Sequence, residues 1–241
     1  MAPKVLPREG FRDVTGASSS PQGSSTDAST ALLGLVAYGE LSAFSRLAAD
    51  AQRAPDLGGR AELATLAAVE MEHYVRVRDH LAARGVDVLD AMGPFVARVD
   101  ALMRTVGARD WPEALVATAL GRGLVTDLQA EALEGLSGDE ATLVREVIDA
   151  TGHVAFVEAR IREACADPQV HARLAMWARR LLGEALAAVV AAFDAHPGIA
   201  AVVEGPAGAG TVAEGDAAAS RAAVLKRLKS RHNKRVSALG L

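Results

Sequence analysis

Hydrophobic positions in this chain recur every three to four residues over long segments, and no run of alternating β-branched residues interrupts them. Five segments carry the helical period: 30–51, 57–84, 110–136, 140–166 and 168–196. Their ends carry matching signals. A Ser/Thr/Asp cluster precedes the first segment and Pro55 stops it, while Gly85 closes the second. Asp110-Trp111-Pro112-Glu113 opens the third with an N-cap, a first-turn proline and an acid at N3. Ser137-Gly138-Asp139-Glu140 turns tightly into the fourth. Within the 86–109 connection a short helix is expected near Pro94. Short links between segments one and two, and three and four, imply two antiparallel hairpins. The pattern predicts an all-α chain: an antiparallel four-helix bundle over 29–196, with an additional helix at the bundle's C-terminal end.

The flanks differ in composition. Residues 1–28 are rich in Ser, Gly, Pro and Asp, and read as a disordered leader. Residues 197–219, full of Gly and Ala, read as a flexible linker. In 220–241, Leu225, Leu228, His232, Val236 and Leu239 fall at helical spacing with Lys and Arg between them. A basic amphipathic tail helix docking on an acidic body is the expectation. That tail is +7 against a net charge of −4, which leaves −11 for the remainder. An acidic body disfavours RNA as a partner, although the tail alone would suit it.

Composition narrows the class further. Half the residues are hydrophobic and only 4% aromatic, an Ala/Leu-rich balance that favours helix over strand. No apolar stretch reaches the roughly 18 residues of a membrane span, and no apolar h-region marks a secretory signal. Cys165 is the sole cysteine, so no intrachain disulfide can form, and a cytoplasmic location is the simplest fit. No P-loop, dinucleotide turn, Cys cluster or Ser-His-Asp set is recognisable.

Three apolar stripes contain carboxylates. Glu40 sits among Leu33, Val36, Ala37, Phe44 and Leu47, and Glu70 among Leu63, Leu66, Ala67, Val77 and Leu81. Glu131 sits among Ala117, Leu120, Leu124 and Leu128, with Asp127 one turn earlier. An unpaired carboxylate in such a seam costs several kcal/mol, so these acids need partners. His73 stands at i+3 from Glu70 and shares its face. Pro55 lies midway between Glu40 and Glu70, which levels the two acids across the first hairpin. Carboxylates plus imidazole on inward helix faces are the ligands of metal centres in bundles. In the fourth segment His153 is the candidate ligand, with Asp149 at i−4 and Ala150 where an acid would complete the repeat. Height favours Asp127 as the ligand from the third segment and wheel position favours Glu131. The candidate metal ligands are therefore Glu40, Glu70, His73, Asp127, Glu131, Asp149 and His153, with Tyr38 and Tyr74 as hydrogen-bonding supports.

Several motifs together resemble a known family: Ala37-Tyr-Gly-Glu-Leu-Ser-Ala-Phe44, Glu70-Met-Glu-His-Tyr74, Ala91-Met-Gly-Pro-Phe95, Thr151-Gly-His153, Arg179-Arg-Leu-Leu-Gly-Glu184 and Ala238-Leu-Gly-Leu241. The chain resembles the MiaE-like branch of the ferritin-like superfamily, relatives of a tRNA hydroxylase. The resemblance implies a ferritin-like bundle around two irons per chain, with manganese or zinc as alternatives. It also implies a dioxygen-activating hydroxylase or oxidase and an external electron donor. It carries onto Glu40, Glu70, His73 and His153, and further onto Asp127 or Glu131 and onto Asp149, while Ala150 departs from the pattern. The alternative expectation is a metal-binding or structural bundle without turnover. The alanine-rich 168–196 segment offers a face for pairing with a second copy.

Overall fold

The computed structural model describes residues 21–149, 154–204 and 214–241, and every regular element among them is a helix. α1 (Pro21–Ala51) and α2 (Leu57–Ala83) form the expected antiparallel hairpin, although α1 begins inside the segment read as leader. Asp56 caps α2 by accepting from the Gly59 amide at 2.7 Å. Gly85, at φ +72°, takes the chain out of α2 in the left-handed region where a side chain would be strained.

The 86–109 connection holds more structure than one short helix. α3 (Val88–Met92), a three-ten turn at Gly93–Phe95 and α4 (Val96–Thr105) follow one another. α3 lies close against α1: a Cβ on Gly34 would come within 2.1 Å of the Ala91 carbonyl oxygen. α5 (Trp111–Ala132) opens as its sequence foretells, with the Asp110 carboxylate accepting from the Glu113 amide at 3.0 Å. Glu113 is fully buried and accepts from the Arg109 amide at 2.9 Å and from the Arg173 guanidinium at 2.7 Å.

The segment expected over 140–166 is α6 (Gly138–Asp149) and α7 (Val154–Ala164), on either side of 150–153, which lie outside the described residues. α8 (Pro168–Ala195) is the additional long helix, capped by Asp167. The linker reading fails at its start. Pro197–Val203 is a helix, α9, with Ile199, Ala200 and Val203 buried beside Leu32, Phe95 and Phe193. Small residues serve tight packing as readily as flexibility. Gly135, just past α5, shows this: a Cβ there would lie 2.1 Å from the Val202 carbonyl oxygen. α10 (Glu214–Ala238) is the tail helix, docked on α5 and α8 with Val224, Leu228 and His232 buried.

Among the described residues no single helix is long and apolar enough to cross a membrane. α8 and α9 reach that threshold only when joined, across a 116° bend.

The core is layered along the first hairpin. Leu47, Ala51, Leu63 and Leu66 belong to one apolar cluster, and Leu33, Val36, Ala37, Val77 and Leu81 to another. Between these layers α1 contributes Glu40 and α2 contributes Glu70 and His73, all buried. The bundle thus carries a polar layer between two hydrocarbon layers.

Candidate metal centre

In that layer the levelling of Glu40 with Glu70 takes physical form. Glu40, Glu70 and His73 each present a donor atom, and the three atoms lie within 4.8 Å of one another. His73 Nδ1 is 3.3 Å from Glu40 Oε2 and 3.7 Å from Glu70 Oε2. The other carboxylate oxygens are held from α5. Gln129 Nε2 donates to Glu40 Oε1 at 3.3 Å, and the Arg122 guanidinium donates to Glu70 Oε1. Each acid is thus anchored by one oxygen and turns the second toward the imidazole.

The charges adjust to one another. Burial raises Glu40 to about 7, and the neighbouring Glu70 carboxylate adds to the rise. Burial pushes Glu70 the same way, but hydrogen bonds from His73 and Glu40 and the charge of Arg122 hold it down at about 2. Burial would lower His73, yet its hydrogen bonds with Glu40 and Glu70 raise it to about 9. Two carboxylates and an imidazole nitrogen are a donor set suited to a divalent first-row metal ion. The convergence of Glu40 Oε2, Glu70 Oε2 and His73 Nδ1 fits one such ion. His73 Nε2 is buried without a hydrogen-bond partner.

The other candidates within the described residues, Asp127, Glu131, Tyr38 and Tyr74, make their contacts elsewhere. Asp127 and Glu131 are buried, but on the opposite side of α5 from Gln129, against the tail helix. Arg235 holds both Asp127 oxygens at 2.7 Å. Arg227 donates to Glu131 at 2.9 Å, and Arg231 lies 2.9 Å from its other oxygen. The acids do need partners, but guanidinium groups from α10 supply them. The Tyr38 hydroxyl donates to Asp100 at 2.7 Å, and Tyr74 packs in the Leu33–Val77 layer. Among the described residues neither hydroxyl bonds to the cluster. Asp149 ends α6, and its side chain, like the whole of His153, lies outside the described residues.

Arg122 and Gln129 escaped the sequence reading. They stand seven residues apart, which places both on one face of α5. That spacing was a usable signal, but attention to acids and histidines passes over a guanidinium and an amide.

A cavity of about 270 Å³ reaches the cluster. Glu40, Glu70 and His73 form part of its wall, and most of the rest is hydrocarbon from α1, α4, α5 and α8. Its size approaches the lower end of the roughly 300–1,000 Å³ range of small-molecule sites.

The all-helical bundle and its inward Glu/Glu/His layer define a ferritin-like protein with a candidate metal site. The family model described as "Ferritin-like domain, actinomycetes" matches residues 25–204, and the chain belongs to that family. It is similar to a solved structure, protein 19 with aldehyde deformylating oxidase activity from Synechococcus. Identity is 18% and the TM-score 0.61, over 91% of this chain and 97% of that one, a likeness of fold. No curated protein matches the chain in sequence.

Proposed function

We propose that the protein is a metal-dependent, dioxygen-activating oxidase or hydroxylase acting on an apolar small molecule. The observation that carries this reading is the apolar cavity that reaches Glu40, Glu70 and His73. A bundle that only had to be stable would gain by filling such a space with side chains. The aldehyde deformylating oxidase activity of the Synechococcus protein supports the same class of chemistry. So does the resemblance to MiaE-like hydroxylases, although the cavity wall suits an aliphatic substrate better than a nucleotide.

Glu40, Glu70 and His73 would hold the cation, with iron the first candidate and manganese the redox-active alternative, while zinc, which has no redox chemistry, would suit only a non-oxidising bundle. A bound redox-active metal supplies one-electron chemistry toward dioxygen, and its re-reduction calls for an external electron donor. Gln129 and Arg122 orient the two carboxylates, and the leucine- and valine-lined wall excludes water from the reacting region. A second iron would need Asp149 and His153, and the fixed positive charge of Arg122 beside Glu70 opposes it.

The same arginine favours a second reading, a structural bundle whose ion pairs replace the metal altogether. Dioxygen uptake separates the two. Iron-loaded protein with a chemical reductant and a panel of aliphatic aldehydes and alcohols should consume dioxygen in a substrate-dependent way, and His73→Ala should not. Uptake that is equal in the variant would remove the oxidase reading.

A further inference from the structure

The C-terminal helix meets the cavity at His232. This residue is 2% exposed and lines the same cavity as Glu40, Glu70 and His73. Neither of its ring nitrogens has a hydrogen-bond partner. Buried polar groups are ordinarily paired, because leaving one unpaired costs more than a hydrogen bond gains. Other charged side chains in the wall are committed already: Arg46 to Asp50, Arg98 to the Ala191 carbonyl and Arg122 to Glu70. The helix that carries His232 is fixed independently, through the pairing of Arg227, Arg231 and Arg235 with Asp127 and Glu131. The imidazole is therefore held against the cavity with no hydrogen bond of normal geometry, although the Ala178 backbone carbonyl lies near enough to act on the ring.

Its protonation limits what it can bind. Burial lowers the pKa of His232 and Arg235 adds to the effect, opposed by the Ala178 carbonyl and Asp127. A neutral imidazole donates from one nitrogen and accepts at the other. That matches a hydroxyl or carbonyl oxygen and offers no charge to a carboxylate.

We propose that the cavity binds an aliphatic molecule carrying an uncharged oxygen, and that His232 hydrogen-bonds this oxygen. The hydrocarbon would lie along Leu32, Leu35, Val99, Leu102, Leu124 and Val189. This inference rests on the reading of the cavity as the substrate site and names the substrate class. The family match ends at residue 204, so the residue that recognises the oxygen comes from outside the matched domain.

The test uses the full chain without metal, with 1-decanol as probe and decanoate for comparison, followed by titration calorimetry. Wild type should bind decanol more tightly than decanoate. His232→Leu should lose roughly five- to tenfold in decanol affinity, the worth of one neutral hydrogen bond. His232→Gln, whose amide still donates and accepts, should keep most of it. Thermal unfolding checks that each variant folds, and His232→Phe replaces the leucine variant if that one does not. Equal decanol affinity in wild type and His232→Leu overturns the inference, as does tighter binding of decanoate or no decanol binding to wild type. Binding through His232 in a protein that takes up no metal would keep this inference and sink the oxidase reading, so the two fail separately.

Discussion

A histidine between two buried carboxylates titrates as one of a trio. In the metal-free protein His73 keeps its proton up to about pH 9 and Glu40 up to about pH 7. A cation must displace both. Metal affinity should therefore rise with pH through the 7–9 window, with protons released on binding. Calorimetry in buffers of different ionisation enthalpy would count them, and an affinity flat across that window would contradict the assignment. Stability runs the other way. Both groups hold protons more tightly when folded, so the metal-free chain loses stability as pH rises, from 4.5 through about 7 for Glu40 and from 6.5 through about 9 for His73. Glu70 acts below that range, and its contribution is lost as pH falls from 4.5 toward 2. At this scale the sequence was informative where a residue type names its own chemistry, as Glu70 and His73 do at i and i+3. Arg122 and Gln129 act only through the acids they hold, and their residue types do not announce that.

At the scale of elements, α10 depends on an asymmetric set of ion pairs. Glu131 is 2% exposed, whereas the Arg227 and Arg231 side chains that pair with it are 45% and 41% exposed. Removing the acid leaves cations that water can solvate. Removing the cations leaves a buried charge with nothing to balance it. Arg227→Gln together with Arg231→Gln should therefore destabilise the docked tail by about 3–5 kcal/mol. Glu131→Gln should cost about 1–3 kcal/mol. Hydrogen exchange of the α10 amides would read both, and equal effects would contradict the account. The stripe that contains Asp127 and Glu131 was visible from periodicity, and so was the tail's own apolar face. What periodicity does not encode is which stripe covers which. A metal layer and a docked basic helix both satisfy the same buried acids. The Gly/Ala run beginning at Pro197 posed the same difficulty, since small residues serve a loose linker and a tightly packed α9 alike.

At the scale of the whole molecule, a ferritin-like bundle carries one polar layer, proposed to hold a metal ion, beside an apolar cavity, proposed to hold a substrate. Bundle, hairpins and polar layer follow from helical period, caps and the levelling across Pro55. The cavity was invisible, because a void is a property of packing and leaves no residue signature. Metal content measured on the protein as isolated, without chelators, tests the claim most directly, alongside Glu70→Ala/His73→Ala and Asp127→Asn/Glu131→Gln. The account predicts at least one transition-metal ion per chain in the wild type, in the proportion expected of bundle metal sites. That metal should vanish from the first variant with its helical content unchanged, and persist in the second, whose acids serve the tail. A wild type free of metal, or metal that survives loss of Glu70 and His73, would contradict it.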